Sequence, residues 1–313
     1  MTHGQTLLFA EATMKLRLTV MLILICSGIP SRGQQASQFT EDAGNRYWIR
    51  PDVIYGVENG HENKLDIIYR RNASAPVPTV IYIHGGGWVL GDKAGAVLHM
   101  LPYLKMGWAA VNVEYRMASA SKAPGAVEDC RCALRWIVRN ANEYHIDPAR
   151  LVVTGHSAGG HLSLTTGMLR ESDGLDTNCP GDKGEAEPRV AAIVNWYGIT
   201  DVADLLTGSN RKTYAVAWLG SATNKEEVAH RVSPLTYVRN DSPPIITIHG
   251  DADDVVPYTH AVRLQQALDK AGVANQLFTV KRGGHGQFSD EDNQQAYEAI
   301  FQFLAKHNLE PVK

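Results

Sequence analysis

At 313 residues the chain is long enough to bury a sizeable core, as one large domain or two small ones. Its 44% hydrophobic and 20% charged residues are ordinary for a soluble globular enzyme. A formal net charge of −3 gives no electrostatic footprint for nucleic acid or an anionic membrane as partner.

The N-terminal segment has a character of its own. From Met14 it reads MKLRLTVMLILICSGIPSRGQQ, with Lys15 and Arg17 ahead of an apolar run from Leu18 to Ile25. Ser31-Arg32-Gly33 then supplies small residues where a signal peptidase reads. Residues 1–33 therefore read as a secretory signal peptide, with Met14 as an alternative start, and the apolar run is short for a membrane span. A buried N-terminal helix or a retained anchor is the competing reading. Cys26 does not suit a lipoprotein site, because Ile25 stands where a small residue is needed. The expectation is a secreted or periplasmic protein without stable membrane association once processed, its mature domain running over 34–313.

After a polar stretch ending near Arg50, short β-type runs alternate with helical ones. Strands are predicted at Val53–Val57, Lys64–Tyr69, Thr79–His84, Ala109–Glu114, Leu151–Thr154, Ala191–Trp196, Ile245–His249 and Gln276–Lys281. Runs such as Thr79-Val80-Ile81-Tyr82-Ile83 are continuously apolar, as in strands covered on both faces. Amphipathic helices are predicted from about Gly125 to Tyr144, from after Pro257 to Gly272, and over Ala296, Ile300, Phe303 and Leu304. The alternation implies an α/β fold: a mostly parallel eight-stranded sheet with helices on both faces. Two stretches interrupt it. Glu171–Pro188, rich in Gly, Asp and Glu, reads as a surface loop. Gly198–Pro244 is too long for a simple connection; with helical pieces around Val202–Leu206, Lys212–Leu219 and Lys225–Val232, it reads as a small lid.

Beyond the leader the cysteines are Cys130, Cys132 and Cys179. Cys130 falls on the apolar stripe Val127, Cys130, Leu134, Ile137, Val138, Ala141, whereas Cys132 faces another way round the helix. The expected disulfide is Cys132–Cys179, with Cys130 a free thiol. Three cysteines without paired CxxC motifs make a poor zinc ligand set.

The chemistry is carried by four motifs. Gly155-His156-Ser157-Ala158-Gly159-Gly160 lies between a predicted strand and a helical stretch, the setting of a nucleophile elbow. Residues flanking such a serine must be small, and the helix N-terminus favours negative charge developing beside it. His84-Gly85-Gly86-Gly87-Trp88 follows another strand and offers unobstructed backbone N–H groups to an oxyanion, with Ala158 as a further donor. The phosphate-loop reading fails, since no GK[ST] follows. His285, in Gly283-Gly284-His285-Gly286, stands where a general base is needed. His260 falls inside a predicted helix and His307 in the C-terminal tail. The orienting acid must come from His249-Gly250-Asp251-Ala252-Asp253-Asp254-Val255-Val256-Pro257, where three carboxylates compete. Asp251 or Asp254 could cap the next helix instead, and the same cluster with His249 and His260 admits a metal-site reading, which the hydrolase reading makes unnecessary.

Together HGGGW, GHSAGG, HGDADDVVP and GGHG, in that order, resemble the hormone-sensitive-lipase and feruloyl-esterase-like carboxylesterases of the α/β-hydrolase superfamily. Asn63-Lys64-Leu65-Asp66-Ile67, the HGGGW and Asn112-Val113-Glu114-Tyr115-Arg116 are particularly similar to the feruloyl-esterase-like branch, and the resemblance runs from about Val53 to Ala305. It implies Ser157, His285 and Asp253 as catalytic triad and Gly86, Gly87 and Ala158 as oxyanion donors, with Gly85 an alternative. One departure is His156, where relatives often carry an acid or threonine; it is a candidate for the pocket rim. Trp88 and Trp218 are further candidate substrate contacts, core packing being the other reading for Trp88 and fastening of the lid to the body that for Trp218. Tyr214 either contacts substrate or fastens the lid, and His161 reads as a packed or surface histidine. The implied activity is hydrolysis of short-chain esters of small molecules or carbohydrates through an acyl-enzyme, without metal or organic cofactor. A small amidase or peptidase is the alternative within the fold, and a catalytically dead ligand-binding homologue is the one outside it. Neither the alcohol and acyl groups nor the oligomeric state follows from the sequence.

Overall fold

A computed structural model describes residues 43–180, 186–221 and 223–312; the signal segment read from the sequence lies outside them. The unit that begins at Tyr47 opens with β1 (Tyr47–Glu58) and β2 (His61–Arg70), joined by Asn59-Gly60. Both turn residues have positive φ, 52° and 78°, as a two-residue hairpin of the right twist requires.

The remaining strands are β3 (Val77–Ile83), β4 (Ala109–Val113), β5 (Ile146–His156), β6 (Ala192–Trp196), β7 (Ile245–Gly250) and β8 (Asn275–Val280). Among the described residues they form one eight-stranded sheet in the order β1-β2-β4-β3-β5-β6-β7-β8. β2 runs antiparallel to β1 and β4, and from β4 across to β8 the pairings are parallel. All eight predicted strands are present. The helices are α1 (Leu101–Lys105), α2 (Gly125–Arg139), α3 (Ala158–Met168), α4 (Thr213–Leu219), α5 (Lys225–Arg231), α6 (Thr259–Ala271) and α7 (Asp290–Lys306). α2 stops before the predicted Tyr144: Asn140 leaves helical geometry at φ −99° and ψ 11°, its side chain also donating to the Trp136 carbonyl at 2.8 Å, and the next N–H, Ala141, turns to Val138.

Alternate residues of each strand feed two cores. On one face Ile81, Val111, Val153 and Ile193 pack with Leu134 of α2, Leu162 of α3 and Leu264 of α6. On the other, Val80, Ala110, Val152 and Val194 pack with Tyr103 of α1 and Ile300 and Phe303 of α7. A sheet buried on both faces needs side chains apolar at every position, which is why its strands read as unbroken apolar runs. Cys132 and Cys179 are disulfide-bonded across a sequence separation of 47, and the free Cys130 is buried. No helix of the described residues is long and apolar enough to cross a membrane.

The segment 198–244 belongs to the first core: Val202, Leu205, Ala215, Trp218, Ala229 and Val232 are all buried in it. Two buried histidines pin it to the body. His161 of α3 donates from Nε2 to the Val232 carbonyl at 2.7 Å and accepts at Nδ1 from the Trp88 indole at 3.2 Å. His260 of α6 accepts at Nδ1 from the Thr200 N–H at 3.0 Å and bonds Asp204 Oδ2 through Nε2 at 3.1 Å. In both rings Nδ1 must keep its lone pair, so the neutral form is required. Burial pushes the pKa of His161 down to about 3; burial, with Arg263 nearby, pushes that of His260 down to about 4.

Between pH 6.5 and about 4 the unfolded chain therefore binds protons that the folded one refuses, and stability falls as pH falls. Each histidine contributes a slope of about 1.4 kcal/mol per pH unit in that window. Urea unfolding at pH 7.0, 6.0 and 5.0 measures it, and a stability that is flat over this range contradicts the pinning.

Candidate active site

At the end of β5 the chain turns sharply into α3, and Ser157 at the turn has φ +58° and ψ −119°, unusual for a residue with a side chain. Glycine is required two residues before it and two and three residues after it. A Cβ at Gly155 or Gly159 would run into the Ile83 carbonyl of β3, and one at Gly160 would come within 2.6 Å of Asn195 Oδ1. Ser157 N donates to the Trp196 carbonyl of β6 at 2.9 Å, which ties the elbow to the next strand.

The loop after β3 needs glycine for the same reason. Gly86 has φ +116°, and a Cβ there would collide with the Leu90 carbonyl; Gly87 has φ +59°. Gly86 and Gly87 line a cleft of about 400 Å³ together with Ser157 and His285. Ala158 is the first residue of α3. Val89, Leu90, Tyr214 and Val255 make the rest of this cleft largely apolar.

His285 reaches the serine from the loop after β8, 128 residues along the chain, with Nε2 2.8 Å from Ser157 Oγ. Its Nδ1 lies 2.7 Å from Asp253 Oδ2. The other Asp253 oxygen accepts the Val255 and Val256 N–H groups, each at 2.8 Å, so the carboxylate is held at both ends. Of the two rival carboxylates of this loop, Asp251 is engaged elsewhere, accepting from the Arg282 N–H. Burial alone would push the Asp253 carboxyl up. Hydrogen bonds from His249 and His285 outweigh it and hold the group well below the usual carboxylate range. An imidazole between a hydroxyl and an ionised carboxylate is an arrangement that can take a proton from the hydroxyl and carry the resulting charge.

Other sequence candidates land differently. Trp88 and Trp218 do not contact the cleft: both are fully buried, stacked on one another with ring centroids 4.1 Å apart. Trp88 leaves the glycine loop with φ +61° and joins the core beneath it, where its N–H meets His161; His161 is thus a packing residue. His156 does reach the rim, its Nδ1 2.7 Å from the Tyr82 hydroxyl. Tyr214 lines the cleft and donates to the Val255 carbonyl at 3.1 Å. The histidines of the metal-site reading are spoken for: His249 lies 3.2 Å from Asp253, and His260 bonds Asp204. Tyr197 went unrecognised in the sequence. It follows β6 directly, has φ +40° and packs edge-on to His285 at 4.6 Å. Its one signal is its place at the carboxyl end of a central strand.

The Asp253–His285 bond predicts a strongly downfield imidazole proton resonance. It should vanish in Asp253→Asn and persist in Asp251→Asn and Asp254→Asn; its persistence in Asp253→Asn would contradict the pairing.

Comparison with protein families matches residues 65–268 to the family BD-FAE. Among curated proteins the chain is 28% identical to Esterase LipQ of Mycobacterium tuberculosis, over 81% of this chain and 61% of that protein. It is 32% identical to the Probable carboxylic ester hydrolase LipM of the same organism, over 67% of this chain and 49% of that protein. The chain thus spans about half to three fifths of the length of these relatives. Among solved structures it superposes on a truncated form of a carbohydrate esterase from gut microbiota with a TM-score of 0.71. The identity there is 28%, covering 85% of this chain and 98% of that one. It also superposes on the apo form of Thermogutta terrifontis esterase 2 with a TM-score of 0.70 and 25% identity, covering 85% and 97% of the two chains. With the family match running from β2 into α6, this chain belongs to the BD-FAE family of α/β-hydrolases.

Proposed function

We propose that the protein is a serine carboxylic ester hydrolase acting on short-chain esters of small molecules or carbohydrates. The observation that carries this reading is the relay of 2.8 Å from Ser157 to His285 and 2.7 Å from His285 to Asp253. Esterases among its relatives support it. Ser157 Oγ attacks the ester carbonyl and gives its proton to His285 Nε2. Asp253 holds Nδ1 protonated and steadies the imidazolium. The N–H groups of Gly86, Gly87 and Ala158 receive the oxyanion. Collapse of the tetrahedral intermediate passes the proton from His285 to the departing alcohol. Water activated by the same imidazole then releases the acid. The leader pattern and the disulfide support export to an oxidising compartment.

The acyl side is short. The cleft of Val89, Leu90, Tyr214 and Val255 is bridged by the bond from Tyr214 to Val255. The segment 198–244 interleaves Asp201, Asp204, Arg211, Lys212, Lys225 and Glu226 with its apolar residues and so offers no broad apolar face to an oil surface.

Ser157→Ala should lower kcat by roughly four to six orders of magnitude with little change in Tm, and a fluorophosphonate should label Ser157 in the parent protein. Turnover at the parent rate by the variant, or labelling of another serine, refutes the assignment. Along a p-nitrophenyl ester series, kcat/KM should peak between acetyl and butyryl. A maximum at long chains, with activation on emulsified triolein, would mark a lipase instead.

A further inference from the structure

Asp253 must keep one charged oxygen on His285, and the bonds that fix it lead out of the triad. Its Oδ1 accepts from two successive main-chain N–H groups, those of Val255 and Val256, each at 2.8 Å. A main-chain N–H belongs to the same rigid peptide unit as the carbonyl of the residue before it. The two units that grip the carboxylate therefore end, on their oxygen side, in the Asp254 and Val255 carbonyls. Both carbonyls are taken by side chains of the segment 198–244. Lys212 Nζ donates to the Asp254 carbonyl at 2.5 Å, and the Tyr214 hydroxyl donates to the Val255 carbonyl at 3.1 Å. The next carbonyl, that of Val256, accepts from His249 Nε2 at 3.0 Å.

Both donors are themselves fixed. Lys212 directly precedes α4, and its own N–H is bonded to the Leu205 carbonyl at 2.9 Å. Tyr214 lies in the first turn of α4, whose Ala215 and Trp218 are buried in the core. Its ring lies 5.9 Å from that of Trp88, and a Cβ at Gly87 would come 3.0 Å from Tyr214 Cβ, so the residue spans from the glycine loop to the acid loop. Before Asp253 the acid loop is held by main-chain bonds instead, Asp251 N to Val280 O at 3.1 Å and Ala252 N to Gly283 O at 3.0 Å.

From this arrangement we infer that Lys212 and Tyr214 are positioning residues of the triad, holding the two peptide units whose N–H groups orient Asp253. The inference rests on the esterase reading above. A peptide unit held at its carbonyl cannot swing its N–H off the carboxylate. A carbonyl that accepts a hydrogen bond also makes the N–H of its unit a stronger donor, the more so when the group donating to it is a charged ammonium. Without these two bonds Asp253 loses its alignment with His285 Nδ1, and a small misplacement of a catalytic group is costly in rate. The segment 198–244 thus sets the geometry of the triad as well as lining the cleft.

The test is a pair of double-mutant cycles with Asp253. Tyr214→Phe keeps the ring that lines the cleft and removes the hydroxyl; Lys212→Met keeps the stem and removes the ammonium. Each should lower kcat for p-nitrophenyl acetate about tenfold, with KM changed by less than about twofold, and Lys212→Arg, which keeps a charged donor, should recover most of the loss. In an Asp253→Asn background neither substitution should lower the residual kcat further, because no carboxylate is left to position. A loss that persists in that background, or a rise in KM at unchanged kcat, overturns the positioning role. The downfield His285 imidazole proton is a readout that needs no turnover. It should shift or broaden in Tyr214→Phe and in Lys212→Met and return to its place in Lys212→Arg. That result supports the positioning role even if the parent protein hydrolyses no ester, in which case the esterase reading is what fails. A resonance that stays in its parent position in either variant overturns the assignment of that residue.

Discussion

Gly155 and Gly159 lie against β3 so closely that neither has room for a Cβ, and that contact decides where Ser157 stands. It lets α3 start immediately above the sheet, with Ser157 forced to φ +58° between strand and helix. Backbone held in such a region costs on the order of 1–3 kcal/mol, so the surroundings must over-determine it. They do. Ala158, Leu162 and Leu164 of α3 are fully buried, and Ser157 N is bonded to β6. Because the β3 carbonyl that excludes those Cβ atoms belongs to the residue just before His84, the same close approach brings the glycine loop beside the serine. Elbow and loop are two consequences of one packing contact.

The indole pair Trp88–Trp218 extends this rigidity to the segment 198–244. Trp88 is covalently part of the glycine loop, Trp218 part of α4, and the His161 ring stands perpendicular to both indoles. The Trp88 N–H is satisfied by His161, so a polar edge inside the core carries no desolvation penalty. The segment is therefore a fixed cap whose position is coupled to the loop beneath it, and its tryptophans act by packing.

A second set of buried polar groups organises the periphery. Asp176 binds Arg131 and Arg135 of α2, and Asp129 binds Arg116 and Asn63. Buried ion pairs are poor stabilisers, since desolvation offsets much of the attraction, but leaving one partner alone is costly. Their effect here is registry. They hold the chain after β4 and the loop approaching Cys179 in one position on α2, and the Cys132–Cys179 disulfide ties the same loop covalently.

What the sequence determined alone was whatever depends on local pattern. The unbroken apolar runs specified strands buried on both faces. Glycines flanking Ser157 and following His84 marked positions where backbone must approach backbone, and the order of the four motifs named the family. Local pattern alone left Asp251, Asp253 and Asp254 open; the resemblance pointed to Asp253, and the loop aims that carboxylate at His285. Two things were decided only in three dimensions. Trp88 and Trp218 were placed in the core because φ at Trp88 turns it away from the cleft, and nothing in composition encodes that sign. The cluster of rings formed by Tyr82, His99 and His156 joins residues from β3, a 3₁₀ turn and β5 that share no motif. Only strand order and the choice of sheet face, both set by long-range packing, bring them together.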